Sequence, residues 1–381
     1  MTASIQTKSN KYYVVLSWSE NGKRKQKWIN TNLPVDGNNK RKAEQKRVEV
    51  LQEWKNKICD NYESILFADF LLRWLEQTKS SIAETTYYSY KQAITSSIYP
   101  YFKKKKIELC ELKPYHVQDF YNQKINDGLS ANTVLHFHAY IHKCLEYAVK
   151  MDLIPVNVSD KVTLPKKEKH YADCYTVDEL RLLLDNCKGT TIEPVIILAA
   201  HFGLRRGEII GLKWRYVDFQ NRIISIMGVM TDKGSGSRIE NTKYRESAKT
   251  SSSIRSFPMP NSIYQYLLEL KRKQEENQKQ ASYNMDYSEF VCVRSNGDLI
   301  PLDYVTREFP KLLERCGMRR IKLHELRHTN ISLLIESGVS MKEAQEWAGH
   351  SDYSITANTY SHVSAQSKIK LSQSISKMLS E

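Results

Sequence analysis

The segment 323–349 limits the fold of this chain most strongly, because apolar residues at helical spacing alternate there with glycine stops. His324 and Arg327 stand three positions apart, and the apolar residues that follow keep the helical period: Ile331, Leu334 and Ile335. The two polar side chains should therefore lie on one face of a helix, where both can address one ligand.

Glycines divide the rest of this region into short helices. Gly338 predicts the end of the first helix, 341–347 has the spacing of a second, and Gly349 predicts its end directly before His350. A last short helix is predicted to carry Tyr360. A cleft between these helices would hold arginine, histidine and tyrosine, which are groups able to bind and attack an anionic phosphorus centre.

This region resembles the C-terminal signature of the tyrosine recombinases, specifically the integrases of temperate phages and conjugative transposons. Its sequence is HELRHTNISLLIESGVSMKEAQEWAGHSDYSITANTYSHV. The family pattern is His-x-x-Arg, followed by Gly-His and then Tyr, and its spacings are met here without a gap. The resemblance implies catalytic roles for His324, Arg327, His350 and Tyr360.

A second match lies upstream, where an apolar helix ends in the sequence Gly-Leu-Arg-Arg-Gly-Glu. In the family the arginine directly after Gly-Leu is catalytic, which here is Arg205 rather than its neighbour Arg206. The resemblance also implies that Glu208 orients the site. A lysine on a β-hairpin, normally followed by Thr, reaches the leaving 5′ oxygen in the family. Lys249 fits that pattern, and Lys243 is the lesser candidate.

The same residues contain a competing motif, because His324, Glu325 and His328 satisfy the H-E-x-x-H pattern of zinc metalloproteases. There the two histidines would bind zinc and Glu325 would be the base, with Glu346 or His350 as a third ligand. That hypothesis leaves Tyr360 unexplained and sets the fixed cation of Arg327 beside a dication. The resemblance instead implies a site without metal or other cofactor.

Lysine and arginine outnumber aspartate and glutamate by 57 to 43, a net charge of +14 that favours a polyanionic partner such as nucleic acid. No stretch approaches 18 consecutive apolar residues and the start has no signal-peptide core. We therefore expect a cytoplasmic protein with no membrane partner. Seven scattered cysteines without a C-x-x-C pair indicate reduced thiols.

Half of the excess positive charge lies before residue 61, where 13 Lys/Arg face 6 Asp/Glu. Two β-rich runs flank Asn21-Gly22, which predicts a hairpin, and a helix is expected from about 41 to 57. This resembles the arm-binding domain of the integrases, which contacts DNA away from the cleavage point. Candidate DNA-binding residues on the returning strand are Lys23, Arg24, Lys25 and Lys27.

The next hundred residues change to a helical period, with predicted helices near 67–75, 83–98, 114–127 and 130–151. This part resembles the core-binding domain of the tyrosine recombinases. Its first helices carry Thr86, Tyr90 and Lys91, whose hydroxyl, ring and amino groups suit phosphate and base-edge contacts. Tyr87 and Tyr90 are equally good candidates for the core, and the sequence does not choose between them.

Together these features predict a multidomain protein that is mainly α with small β-sheets. The expected division is an arm-type DNA-binding domain at 1–60, a helical core-binding domain at 61–163, a linker at 164–172, and a mixed α/β, mostly helical catalytic domain at 173–381. The catalytic domain ends in an apolar stripe that folds back on its own domain or docks on a neighbouring protomer.

The resemblance implies a site-specific recombinase that integrates and excises a mobile element through a 3′-phosphotyrosyl intermediate and a Holliday junction, without metal or ATP. Its expected partners are double-stranded DNA, three further copies in a tetramer on DNA, and possible excisionase and DNA-bending proteins. Alternatives are a type IB topoisomerase, with the same chemistry but no strand exchange, and a DNA-binding protein that has lost catalysis.

Overall fold

The structure is a computed structural model that describes residues 2–20, 23–60, 65–167, 173–232, 242–246 and 254–349, together with residue 376. The chain divides into two compact units, residues 1–168 and 169–381. This division falls inside the predicted linker. The separation of the first unit into an arm-type and a core-binding domain stays a prediction.

Three antiparallel strands and one helix form the N-terminal part of the first unit. Strands β1 (Thr2–Lys8), β2 (Lys11–Glu20) and β3 (Lys23–Pro34) pair in that order, and α1 (Asn39–Asp60) follows. Glu20 pairs with Lys23, which confirms the predicted hairpin. Strand β1 was not predicted, because its run Thr-Ala-Ser-Ile-Gln-Thr-Lys has few of the residues that mark a strand.

Burial of β2 against α1 makes the core of this sheet. Val14 and Leu16 are fully buried and cluster with Val50 of α1. These positions alternate along β2, as expected for a strand that packs one face on a helix.

The rest of the first unit is helical, as predicted. Its helices are α2 (Phe67–Thr78), α3 (Glu84–Ala93), α4 (Tyr99–Lys105), α5 (Pro114–Asn126) and α6 (Ala131–Lys150). A π-helical turn, Ile94–Ile98, continues α3, so the helix predicted over 83–98 is one helical run. Gly128, with φ +87°, separates α5 from α6 at the predicted boundary. Phe67, Phe120 and Ile141 are fully buried in the shared core.

The second unit combines helices with two small antiparallel sheets. Its helices are α7 (Val177–Asn186), α8 (Glu193–Phe202), α9 (Arg206–Ile210), α10 (Asn261–Asn277), α11 (Leu302–Arg315), α12 (Leu323–Glu336) and α13 (Met341–Ala348). One sheet pairs β4 (Val217–Asp218), β5 (Ile223–Ile226) and β8 (Arg255–Pro258), and the other pairs β6 (Gly228–Asp232) and β7 (Thr242–Glu246).

Helix boundaries in this unit follow the sequence signals closely. Thr176, a favoured N-cap residue, caps α7 by accepting from the backbone N–H of Glu179. Gly203 and Gly349, with φ +61° and +63°, end α8 and α13 in the left-handed conformation. Gly338, with φ +101°, follows α12. The predicted helix carrying Tyr360 and the apolar C-terminal stripe lie outside the described residues.

Two further sequence expectations concern thiols and membranes. Among the side chains that the structure describes, Cys144, Cys187 and Cys292 are buried thiols outside any disulfide. Among the described helices, none combines the length and the apolar character needed to cross a bilayer.

Candidate active site

The ends of α8 and α13 position the two predicted catalytic arginines. Arg327, 1% exposed, donates from Nη1 to the carbonyl of Gly203 at 2.6 Å and from Nη2 to the carbonyl of Ala348. Arg205 donates from Nη2 to the carbonyl of Gly349 at 3.3 Å. The last carbonyls of a helix lack intrahelical donors, so the arginines satisfy groups that would otherwise need water.

Close backbone approach explains two of the glycines in the motif around Arg205. A Cβ on Gly203 would lie 2.8 Å from Oδ1 of Asn330, and Gly203 also has a positive φ. A Cβ on Gly207 would lie 2.5 Å from the carbonyl oxygen of Met230. These glycines therefore let α12 and β6 pack directly against the chain that carries Arg205.

Glu208 ties Arg205 to a third arginine. Its Oε2 accepts from the backbone N–H of Arg205 at 2.9 Å, and its Oε1 accepts from Nη1 of the same residue at 2.8 Å. Arg255 donates to both carboxylate oxygens, from Nη1 to Oε1 at 3.2 Å and from Nη2 to Oε2 at 2.7 Å. Burial alone would raise the pKa of Glu208, but the hydrogen bonds and charges of Arg255 and then Arg205 lower it to about 2.

His324 lies on the first turn of α12, on the same helix as Arg327. Partial desolvation of the imidazole, and then the positive charges of Arg327 and Arg205, lower the pKa of His324 below its usual value. The structure therefore brings His324, Arg327, Arg205 and Glu208 into one electrostatic environment. A neutral imidazole there can accept a proton through one ring nitrogen and donate a hydrogen bond through the other.

Arg206 points to a different part of the unit. Its Nη1 donates to the carbonyl of Leu302 at 3.1 Å and to the hydroxyl of Thr306, both on α11, and its Nη2 lies 3.7 Å from Asp232. Arg206 therefore lies away from the contacts of Arg205 with Glu208 and Gly349, and the choice of Arg205 as the catalytic arginine stays a prediction.

In the H-E-x-x-H motif, Glu325 has a structural contact instead of the role of a base that the zinc-site hypothesis gives it. Glu325 is 7% exposed, and its Oε2 accepts from the backbone N–H of Lys322, which caps the start of α12. The rings of His324 and His328 meet edge to face with centroids 5.1 Å apart. In the described part of the chain, the group whose ligand atoms are spaced for a metal lies elsewhere, at His142, Glu146 and Asp160.

Three of the predicted catalytic residues, Lys249, His350 and Tyr360, lie outside the described residues, so their roles stay predictions. Lys243, the lesser candidate for the lysine, is on β7 and pairs with Thr231 of β6. Arg255, the buried partner of Glu208, is a residue of this cluster that the sequence interpretation missed. It stands in the same segment as Lys249, but nothing in its spacing indicates its partner, Glu208.

The N-terminal sheet presents mostly uncharged side chains on the face away from α1, which we call the outer face. Lys8 also lies on this face, with its Nζ 6.0 Å from the centroid of the Trp28 ring. Strand pairing aligns the uncharged side chains in three rows: Thr2, Ser17 and Gln26; Ser4, Val15 and Trp28; Gln6, Tyr13 and Asn30. The rings of Tyr13 and Trp28 lie 6.0 Å apart in an edge contact, and Trp28 is 43% exposed. Most of these side chains can donate or accept a hydrogen bond.

Of the predicted lysines of this sheet, Lys25 and Lys27 lie on the α1 side rather than on the outer face. Lys27 pairs with Leu16, a residue buried under α1, and Lys25 is two positions along the same strand. Both side chains therefore lie on the side of the sheet that packs against α1. Lys23 and Arg24 begin β3, and their side chains fall outside the described part of the structure.

The candidate DNA-binding residues of the helical part differ in accessibility. Thr86 is partly exposed and Lys91 is exposed on α3. Tyr90 is 6% exposed, its ring stacks on Trp74 with centroids 6.0 Å apart, and its hydroxyl accepts from Nζ of Lys143 at 2.7 Å. Tyr87 is 5% exposed, so both tyrosines belong to the core. A DNA contact from Tyr90 stays a prediction that its burial restricts to the hydroxyl edge.

Known proteins share this fold and sequence. The phage integrase family matches residues 174–367, and the N-terminal SAM-like domain of phage integrases matches residues 66–125. A tyrosine recombinase XerC-like protein of Caldanaerobacter subterraneus subsp. tengcongensis is 28% identical over 87% of this chain and 88% of its own length. The integrase of Staphylococcus phage L54a is 25% identical over 87% of this chain and 98% of its own.

Solved structures add support for the fold. The Tn1549 transposon integrase, in complex with a circular intermediate DNA, matches with a TM-score of 0.66 at 18% identity over 81% of this chain and 99% of that one. A lambda integrase dimer bound to a core site matches with a TM-score of 0.60 at 16% identity over 93% and 94% of the two chains.

The fold and the family match are those of a tyrosine-type DNA recombinase, an enzyme that breaks and rejoins DNA strands. The chain belongs to the phage integrase family.

Proposed function

We propose that this protein integrates and excises a mobile element by cutting DNA with Tyr360 and rejoining the strands in a new arrangement. The observation that carries the proposal is the pair Arg205 and Arg327, fixed by the carbonyls at the ends of α8 and α13. Arg205 keeps 40% of its side chain exposed, so its guanidinium can reach a non-bridging phosphate oxygen.

In the proposed first step the phenolic oxygen of Tyr360 attacks the scissile phosphorus. The bond from phosphorus to the 5′ oxygen breaks, so the products are a 3′-phosphotyrosyl enzyme and a free 5′ hydroxyl. Arg205 and Arg327 stabilise the negative charge that develops on the non-bridging oxygens. Because the phosphodiester is exchanged and not hydrolysed, the step can reverse on a new 5′ hydroxyl without ATP.

Proton transfers accompany this exchange. Ionising a tyrosine of pKa about 10 at pH 7 costs roughly 4 kcal/mol, so the proton of Tyr360 needs an acceptor and the phenolate needs nearby cations. His324 and His350 are the proposed acceptors or donors near neutrality, and Lys249 protonates the leaving 5′ oxygen. The lowered pKa of His324 supports a neutral imidazole that is ready to accept a hydrogen bond or proton.

A second proposed contact lies in residues 1–60, which would bind sites away from the cleavage point. The outer face offers amide groups at Gln6, Gln26 and Asn30, and such groups pair with adenine edges in the major groove. Lys25 and Lys27, on the α1 side of the same strand, suit phosphate contacts. Residues 61–163 and residues 173–381 are each proposed to contact the core site, and the linker 164–172 joins them.

Recombination needs two duplexes, each cut on both strands, and therefore four protomers. A lambda integrase structure is a tetramer bound to a Holliday junction, and its chain resembles this one with a TM-score of 0.59 at 16% identity. We propose the same assembly here, on DNA and in the cytoplasm. Excisionase and DNA-bending proteins are the expected accessory partners.

A covalent-trapping assay tests the proposal. Full-length protein is incubated in EDTA with nicked DNA from the ends of its own element and then separated on a denaturing gel. Wild type is expected to give a slow-migrating protein–DNA adduct, and Tyr360→Phe is expected to bind the DNA without forming it. Tyr115→Phe, which removes an exposed hydroxyl of the helical part, is the matched control and should form the adduct.

The outcomes separate the candidate functions. An adduct that persists in Tyr360→Phe would exclude Tyr360 as nucleophile, and loss of all activity in EDTA would favour a metal enzyme. Adduct formation with relaxation of supercoiled DNA, but without strand exchange between two element ends, would favour the topoisomerase alternative.

A further inference from the structure

Arg255 is a buried arginine whose carboxylate partner is Glu208. It begins β8, its side chain is 8% exposed, and it donates from both terminal nitrogens to Glu208, whose side chain is equally buried. The planar guanidinium and the carboxylate meet as two parallel hydrogen bonds, the geometry that best orients both groups. Arg255 therefore fixes the rotation of the Glu208 carboxylate.

The same carboxylate also holds Arg205. Oε1 accepts from Nη1 of Arg205 as well as from Arg255, and Oε2 accepts from the backbone N–H of Arg205. Glu208 thus divides its two oxygens between two arginines. Because Arg255 binds both carboxylate oxygens, Arg205 makes one side-chain hydrogen bond to Glu208. Apart from that bond and the bond from Nη2 to the carbonyl of Gly349, the guanidinium of Arg205 can address a ligand.

We propose that Arg255 is a positioning residue for DNA cleavage, which acts by keeping Glu208 from pairing fully with Arg205. The inference rests on the proposed function, in which Arg205 binds the scissile phosphate. Without Arg255, the buried carboxylate of Glu208 would keep Arg205 as its partner from this pair of arginines. Arg205 would then turn to pair with both of its oxygens, because a buried charge is costly unless fully paired. The guanidinium would be neutralised and drawn away from the phosphate.

The surroundings of Arg255 point to a role that an apolar side chain would not fill. Its guanidinium lies 5.4 Å from the ring centroid of Phe257, and its Nε is buried with no hydrogen-bond partner among the described residues. A buried donor without a partner costs free energy. An apolar side chain at position 255 would fill the space without burying an unpaired N–H. An arginine is needed there only if Nη1 and Nη2 must orient the carboxylate of Glu208.

The test compares Arg255→Met, Arg255→Lys and the double variant Arg255→Met/Glu208→Gln in the full-length protein. Arg272→Gln is the control, because Arg272 is a solvent-exposed arginine paired with Glu269 and Glu276 on α10. Two quantities are measured for each variant: the single-turnover rate of adduct formation on nicked DNA, and the Kd for the same DNA.

Arg255→Met is expected to lower the cleavage rate about 100-fold, the size of effect seen when one group that stabilises transition-state charge is lost. The Kd should change little, because Arg255 does not contact the DNA in this proposal. Arg255→Lys should recover part of the rate. The double variant should cleave at least as fast as Arg255→Met, since it no longer contains the unpaired carboxylate. Arg272→Gln should match wild type.

A substrate with a methylphosphonate at the scissile position gives an independent readout. This group lacks one charged oxygen and so depends less on Arg205. If Arg255 acts through Arg205, the rate difference between wild type and Arg255→Met should narrow on this substrate. A general loss of structure would lower the rates on both substrates equally.

Several results would overturn the inference. These are an unchanged rate in both Arg255→Met and Arg255→Lys, a parallel loss of affinity and rate, or an equal defect on the phosphonate. If Arg255→Met does not fold, the comparison of Arg255→Lys and the double variant decides. Failure of wild type to form any adduct would instead contradict the proposed function, so the two failures are distinguishable.

Discussion

At the scale of single residues, backbone carbonyls hold the cationic groups of the site. Gly203 and Ala348 bind Arg327, and Gly349 binds Arg205. A carbonyl is a dipole, so it orients a guanidinium without cancelling its full charge. The positive charge of Arg205 is offset in part by Glu208, which it shares with Arg255. The remaining charge is what the proposed phosphate contact requires.

The charges of these arginines make a prediction for His324. Arg205→Gln should raise the pKa of His324 toward its usual value, because one of the nearby positive charges that disfavour the imidazolium is removed. The shift should be partial, since desolvation and Arg327 remain. Proton NMR titration of the histidine ring signals measures this pKa, with His324→Gln identifying the signal.

The neighbouring variant Arg206→Gln is the control, because Arg206 faces α11 and should leave the pKa of His324 unchanged. An unchanged pKa of His324 in Arg205→Gln would contradict the shared electrostatic environment.

The direction of the pKa shift of His324 also predicts how the stability of the folded protein depends on pH. A pKa of His324 below about 6.5 means that protonation opposes folding, so this cost appears as the pH falls through 6.5 and is absent above it.

Sequence alone located some of these residues and missed another. The motif around Arg205 is local, so spacing distinguished it from Arg206. Arg255 has no such signal, because its partner Glu208 is 47 positions away and meets it only across the folded unit. Pairing between distant residues depends on the packing of β8 against α9, which a linear pattern does not encode.

At the scale of elements, short helices that end in glycine build the site. The left-handed ends at Gly203 and Gly349 stop α8 and α13 at the points where their last carbonyls meet the arginines. Glu325 caps α12 and so fixes the turn that carries His324 and Arg327. The H-E-x-x-H glutamate therefore has a structural use in this helix.

The geometry of the N-terminal sheet predicts different roles in DNA recognition for its outer-face amide residues and for its lysines. Gln26→Ala and Asn30→Ala on the outer face should each weaken binding to the cognate arm sequence by roughly 1–3 kcal/mol and leave binding to unrelated DNA nearly unchanged. Lys25→Ala and Lys27→Ala should weaken binding to both DNAs and lower the salt dependence by about one phosphate contact each.

Binding isotherms at several salt concentrations, on cognate and scrambled arm DNA, measure these differences. The outer-face assignment would be wrong if the lysine and amide variants lost affinity for cognate and scrambled DNA in the same proportion.

The sequence predicted the hairpin and its positive charge. It did not indicate which side chains share a face with α1, because this depends on the register that pairs Lys27 with Leu16.

At the scale of the whole molecule, the chain of net charge +14 combines two compact units. A strongly positive chain binds polyanions through counterion release, so its DNA affinity should fall steeply with salt. This non-specific attraction brings the units to DNA, while the choice of site depends on the base contacts of particular side chains.

Assembly on DNA provides the prediction at this scale. Native mass measurement of the protein on two synapsed core sites should give four chains of 44.4 kDa plus DNA, because four strands must be cut. Tyr360→Phe is suited to the experiment, since it should assemble without cutting. Monomers alone on a complete synaptic DNA would contradict the tetramer.

The sequence by itself determined the helices, their glycine stops and the family to which the chain belongs, because each of these depends on residues close together along the chain. Tertiary structure decided which carbonyls hold the arginines, that Glu208 is shared with Arg255, and that Tyr87 and Tyr90 are both buried. These features arise where distant segments meet. Their hydrogen bonds and burial are fixed by packing, which local spacing does not specify.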